Sequence, residues 1–259
     1  MDKSKYSIGF FDSGIGGLSV LREALKILPN ENYIYYGDSI HAPYGTKSSE
    51  EVRKLSFDVV DKLIEMQVKA IVVACNTATS IVIDDIRRKY KNIPIIGIEP
   101  ALKPAVEHHG DGTIVIMATP VTLSENKFMK LRQKYSRTSK ILSMPCPGLA
   151  EIIESGELEG EEVEAYLKDK FKDIDVSEIS SIVLGCTHYP FIKNSLLKVV
   201  GENVAIIDGS LGTVKQLKRM LEKAKLINDG EDGGKVEIIN SSNSEYLIDL
   251  SYQLLKKEF

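Results

Sequence analysis

A chain of 259 residues, 43% hydrophobic and 27% charged, is long enough for one large domain or two modest ones around a full core. Its formal net charge of -4, with no basic arm or stripe, removes the electrostatic case for nucleic acid, and lysine outnumbers arginine, so planar clamps for phosphate or carboxylate are scarce. The opening residues run into a strand without a charged-then-apolar signal, and no apolar run has membrane-spanning length, so no membrane association and a cytoplasmic location are expected.

The chain alternates short apolar runs with amphipathic segments. Residues 6–11 read as a strand, and 16–28 as a helix with Leu18, Leu21, Leu25 and Leu28 at helical spacing. A strand at 33–36 leads through a loop to a long helix at 49–65. Further strands are predicted at 70–74, 95–98, 113–117, 140–143, 181–184 and 205–207. Helices are predicted near 79–90, 101–108, 122–135, 161–172, 190–199 and 211–224. The polar run 228–234 reads as a surface turn and 245–255 as a closing helix. Strand–helix alternation of this kind predicts an α/β fold of mainly parallel sheets flanked by helices.

Two of the strands end alike. Ile71-Val72-Val73-Ala74-Cys75-Asn76-Thr77 and Ile182-Val183-Leu184-Gly185-Cys186-Thr187 are each an apolar run, a small residue, a cysteine and a polar group. Runs rich in β-branched residues are how strands buried on both faces read. Ligands of open parallel sheets bind beyond the carboxyl ends of the strands, so both thiols are expected at that rim. A second correspondence pairs the strand ending at Asp12-Ser13 with the one ending at Ala118-Thr119. The chain therefore reads as two similar lobes with a cleft between them. The first comprises 1–97 plus 209–259 and carries Cys75; the second comprises 98–208 and carries Cys186.

Three cysteines are an odd count with no export signal, which argues against structural disulfides. No two of them have metal-ligand spacing, and His108-His109 lies far along the chain, so no metal is expected. Cys75 could be a small core residue, but Asn76 to Ser80 supply polarity where a helix begins. Free N–H groups there would hold a carboxylate or favour a thiolate. Cys186 has an imidazole two residues on, at His188, which can take or give its proton. Pro190 can open the next helix. Cys146, between two prolines, reads as a passive thiol.

Asp12-Ser13-Gly14-Ile15-Gly16-Gly17 departs from the dinucleotide fingerprint, and Glu31 is a poor ribose acid, so a nucleotide site is not expected. Asp12 either caps the following helix or places a charge beside the first cysteine. The loop Gly37 to Gly45 lies at the same rim. Its Pro43-Tyr44-Gly45 is either ordinary turn chemistry or a source of N–H groups and a phenol for a substrate's far end.

Five stretches in register resemble the cofactor-independent aspartate/glutamate racemases, most closely those acting on glutamate. They are Phe11 to Leu18, Tyr36-Gly37-Asp38, Pro43-Tyr44-Gly45, Ala74 to Ala78, and Gly185 to Pro190. The resemblance runs from residue 8 to about 210. It implies two lobes with the active site between them, no cofactor, glutamate as substrate, a homodimer, and supply of D-glutamate for peptidoglycan. By family role, Cys75 exchanges the α-proton on the D-glutamate side with Asp12 nearby, and Cys186 does so on the L-glutamate side with His188 as helper. Glu154 is implied as an acidic residue near His188, although the stretch around 147–153 matches less closely. Asp12, Ser13, Pro43, Tyr44, Gly45, Asn76, Thr77, Thr119, Thr187 and His188 correspond to substrate-binding positions.

The chemistry agrees with that resemblance. Racemisation needs a base on one face of Cα and an acid on the other, with roles exchanged for the opposite enantiomer. Without an electron sink, the stabilisation must come from oriented dipoles, hydrogen bonds and exclusion of water. Three alternatives stay open from the residues alone. A racemase of aspartate would share the cysteines and differ in the cleft. A hydrolase or acyltransferase would use Cys186 with His188 and leave Cys75 dispensable. A non-catalytic amino-acid-binding protein would bind without solvent hydrogen entering Cα and would not need the second thiol.

Overall fold

The computed structural model describes residues 2–230 and 233–257. In chain order, the first half runs β1 (Ile8–Asp12), α1 (Leu18–Ile27), β2 (Tyr33–Gly37), α2 (Ser49–Glu65), β3 (Ala70–Val73), α3 (Asn76–Lys89) and β4 (Ile95–Gly97). The second half runs α4 (Leu102–His109), β5 (Thr113–Ala118), α5 (Pro120–Ser124), α6 (Asn126–Tyr135) and β6 (Lys140–Pro145). It continues through α7 (Leu149–Glu154), α8 (Glu161–Phe171), β7 (Ile179–Leu184), α9 (Lys193–Val200) and β8 (Ala205–Asp208). The chain closes with α10 (Ser210–Ala224), β9 (Val236–Asn240) and α11 (Glu245–Lys256).

Two parallel sheets result, as the alternation predicts. Their orders are β4-β3-β1-β2-β9 and β6-β5-β7-β8. Read from its other edge, the second sheet is β8-β7-β5-β6, which repeats β4-β3-β1-β2 strand for strand. β1 corresponds to β5 and β3 to β7, the two pairings read from the sequence. In each sheet the winding reverses beside the first strand, at β1/β3 and at β5/β7. The crevice at such a switch point is where doubly wound sheets bind ligands. The strand ends there lead into Asp12, Cys75, Thr119 and Cys186.

β1, β2, β3 and β5 are buried at every residue, which accounts for their unbroken apolar runs. One core unites inward faces of both sheets, joining Ile8, Phe10 and Val72 with Val115, Met117 and Ile182. Leu18 and Leu21 of α1, Leu217 and Leu221 of α10, and Leu250 and Leu254 of α11 enter the same core. Separate cores form where α2 and α3 cover the first sheet and where α4 and α6 cover the second.

Several departures from the sequence expectations have local causes. The predicted helix at 122–135 is two helices, because Glu125 between them is extended (φ -69°, ψ 140°). The short α7 and the edge strand β9 were not predicted. β9 pairs with β2, so the chain after Asp208 returns to the first sheet. The predicted turn at 228–234 includes Glu231 and Asp232, which lie outside the described residues. Among the described residues, no helix is long and apolar enough to cross a membrane.

Candidate active site

Asp12 ends β1 and is wholly buried. It does not cap α1, whose N-cap Gly17 has no side-chain partner. Its Oδ1 instead accepts from the Gly14 N–H (2.9 Å), and its Oδ2 accepts from the Thr187 hydroxyl beyond the second sheet (3.0 Å). Burial raises its pKa, opposed by the charge of His188 and by those two hydrogen bonds.

Cys75 follows β3 and is the N-cap of α3. Its Sγ accepts from the Ala78 N–H (3.5 Å) and lies 3.6 Å from the Ser13 hydroxyl. The helix terminus that would favour a thiolate is therefore present. Burial outweighs it: the thiol is pushed up to about 12, with the Asp12 carboxylate adding to the rise and Ala78 and Ser13 opposing it. The Cys186 charge adds a smaller rise.

On the other side, Cys186 Sγ is 3.6 Å from His188 Nδ1, and His188 Nε2 is 2.8 Å from Glu154 Oε1. The same Glu154 oxygen accepts from the Ile15 N–H (3.0 Å), so the glycine loop after β1 holds the acid that holds the imidazole. Burial, the largest single influence on His188, disfavours its charge. Hydrogen bonds and charges from Cys186 and Glu154 outweigh it and hold the pKa well above the ordinary 6.5. Pro190 opens the short 3-10 turn Tyr189–Ile192 that leads into α9, as its position predicts. The glycines of the first loop leave room for the site: a Cβ on Gly14 would meet the Glu154 carboxylate, and one on Gly16 would meet the His188 ring.

A hydroxyl cluster lies beside the N-terminus of α3. Thr77 Oγ1 lies 3.0 Å from Thr119 Oγ1 and 3.2 Å from Thr122 Oγ1, and Thr119 caps α5. Gly45 packs against Thr119, where a Cβ would come within 2.7 Å of the threonine side chain. Pro43 precedes the 3-10 turn Tyr44–Thr46, and the buried Tyr44 hydroxyl donates to Asp38 Oδ2 (2.6 Å). Asn76 is buried, and both polar atoms of its amide lack a hydrogen-bond partner. An orphaned amide of this kind calls for a ligand or water.

The structure thus links Asp12, Ser13, Cys75, Glu154, Cys186, Thr187 and His188 by direct contacts, sets Thr77, Thr119 and Gly45 together, and leaves Pro43 and Asn76 adjoining them along the chain. It adds Asp38 and Thr122, which that reading did not include. Asp38 follows β2 directly, the rim position that singled out Asp12, so the signal was present. Thr122 carried none, because only the turn into α5 delivers it. Two other residues make no side-chain hydrogen bond to this group among the described residues, although Cys146 shares a buried core with Cys186. Cys146 is buried, and its thiol donates to the Met144 carbonyl (3.4 Å). Glu31 precedes β2, at the end of the sheet opposite the thiols, and pairs with Lys69. Among the described residues, no group of three or more His, Cys, Asp or Glu side chains could hold a metal ion.

Comparison with known proteins matches residues 16–217 to the Asp/Glu/hydantoin racemase family. A glutamate racemase of Clostridium novyi is 59% identical over 256 residues, covering 98% of this chain and 99% of the relative. One from Clostridium acetobutylicum is 58% identical over 248 residues and 96% of each chain. The structure superposes with a TM-score of 0.85 on the glutamate racemase of Francisella tularensis in complex with D-glutamate, at 33% identity, covering 99% of this chain and 95% of that one. On this similarity, which extends over nearly its whole length, the chain belongs to the Asp/Glu/hydantoin racemase family.

Proposed function

We propose that this chain interconverts L- and D-glutamate by a cofactor-independent two-base mechanism. One observation carries the reading: two buried thiols follow corresponding strands of two like sheets, and the Thr187–Asp12 hydrogen bond ties the residue after Cys186 to the strand end beside Cys75. The family and the glutamate racemases within it supply the substrate class. The lobes are taken as 1–97 with 209–259, and 98–208.

From L-glutamate, the Cys186 thiolate takes the Cα proton and the electron pair of the C–H bond stays on carbon. The Cys75 thiol then gives its proton to the opposite face, leaving a Cys75 thiolate and a Cys186 thiol. The reverse direction exchanges these roles. A Cys75 thiol at about 12 is protonated at neutral pH and poised as the acid. A protonated His188, held by Glu154, pairs with the Cys186 thiolate. Ser13, Asn76, Thr77, Thr119, Thr187 and the Pro43-Tyr44-Gly45 turn bind the substrate. The orphaned Asn76 amide serves a carboxylate without needing arginine. Asp12 orients Thr187, and exclusion of water strengthens each of these dipoles at the developing carbanion.

The Cys186–His188–Glu154 chain also has the geometry of a hydrolase relay, which is the second reading. It leaves Cys75 without a role. We further propose a cytoplasmic homodimer supplying D-glutamate to peptidoglycan, as family membership suggests. Side-by-side turnover of glutamate and aspartate by the purified protein, without added cofactor and with chiral analysis, tests the assignment. Inversion of glutamate in strong preference to aspartate is expected. Inversion of aspartate alone, or of neither, would overturn it.

A further inference from the structure

Glu154 is the last residue of the six-residue α7, and a helix this short has little hold of its own on the direction of its final side chain. The turn that follows is closely bonded. The Ser155 N–H donates to Glu151 O (3.1 Å), the Gly156 N–H to Ile153 O (3.0 Å), and the Ser155 hydroxyl to Ile152 O (2.7 Å). Gly156 is left-handed at φ +92°. One further bond reaches this turn from outside the second sheet. Tyr246, in the first turn of α11, donates its hydroxyl to the Ser155 carbonyl (2.8 Å).

That contact joins the two halves of the molecule. α11 packs on α1 and β9, which belong to the first sheet's side, whereas α7 belongs to the second. A Cβ on Gly156 would approach the Tyr246 hydroxyl to 2.5 Å, so the phenol lies against the turn and glycine makes room for it. Lys257, just beyond α11, pairs with Glu159 in the same loop (3.8 Å). Beneath them, Leu250 and Leu254 of α11 share a core with Ile153 and Leu158. The closing helix therefore clamps the turn immediately after the carboxylate that holds His188.

We propose that Tyr246 is a positioning residue: through the Ser155 carbonyl it fixes Glu154 against His188, and so tunes proton transfer at Cys186 more than at Cys75. This rests on the two-base reading above. Tyr246 is 56% exposed and its hydroxyl bonds the Ser155 carbonyl, so its influence on the site passes through that turn.

A direction-specific signature distinguishes positioning from general loosening. At equilibrium a racemase must have equal kcat/KM in both directions, so the primary isotope effects carry the information. Wild type, Tyr246→Phe and the control Tyr252→Phe, which removes another exposed phenol of the same helix, are assayed with 2-deuterated L- and D-glutamate. Loss of one hydrogen bond acting through Glu154 should lower kcat in Tyr246→Phe about two- to tenfold. The isotope effect from L-glutamate should rise, because the Cys186 step limits more of the reaction. From D-glutamate it should fall, and Tyr252→Phe should match wild type. Unchanged rates, or slower rates with both isotope effects at wild-type values, would overturn the proposal. A wild-type protein that inverts no glutamate would overturn the two-base reading itself, and this inference with it.

Discussion

At the scale of single residues, the two sides of the site differ in how each sulfur is served. Cys75 has a helix N-terminus and a hydroxyl, yet burial and the neighbouring Asp12 leave it strongly protonated. Cys186 has an imidazole that is itself held by a carboxylate. His188 binds its proton more tightly in the folded chain than an unfolded histidine does. That contribution to stability is fully present below about 6.5 and is lost as pH rises through the raised folded value. Replacing His188 by Asn should therefore make thermal stability fall less steeply with pH above neutrality than in wild type. It should also lower kcat about a hundredfold by removing the proton partner of Cys186. Parallel melting profiles across that range would show that His188 is not held charged. The sequence made this side legible, because His188 lies two residues from Cys186. It hid the support from Ile15, whose contribution is a backbone N–H.

At the scale of elements, the glycine loop between β1 and α1 is the part through which one sheet's strand end reaches the other's chemistry. Its Ile15 N–H holds Glu154, its Gly14 carbonyl accepts from Tyr35, and Ser19 in the first turn of α1 donates to the Thr187 carbonyl. Gly14→Ala would place a methyl against the Glu154 carboxylate, the end of a flexible side chain that can swing away. The cost in stability should stay near about 1 kcal/mol, the low end for overpacking. Activity should fall about ten- to hundredfold, because the carboxylate leaves His188. A thermal melt beside a steady-state assay separates the two effects; equal losses of both would count against this role. Element boundaries were legible where burial was complete. β1, β3 and β5 are buried along their full length, and each reads as an unbroken apolar run. β9 did not read as a strand because it is a half-buried edge alternating with Glu237, after a polar run. α7 did not because six residues are too few to show a helical period. The break at Glu125 has no glycine or proline to mark it.

At the scale of the whole molecule, two sheets that share a four-strand order have their switch points joined by the Asp12–Thr187 hydrogen bond, and each contributes one sulfur. Partial legibility of the repeat from the two cysteine strands became full correspondence only with the strand order, which sequence spacing cannot supply. The ends opposite the site are tied separately. Glu31 pairs with the buried Lys69 and also accepts from the Asn228 N–H, joining the start of β2 to the segment before β9. The core common to both sheets makes the cleft a seam within one hydrophobic interior. Pairing of the thiols across that seam is the central claim, and solvent isotope incorporation tests it most directly. L-glutamate is incubated in D₂O with wild type, Cys75→Ala and Cys186→Ala, each shown to be folded and reduced, while Cα deuterium and chirality are followed together. Deuterated D-glutamate should form with wild type, and neither variant should invert the substrate. Inversion at an undiminished rate by either single-cysteine variant would contradict the account.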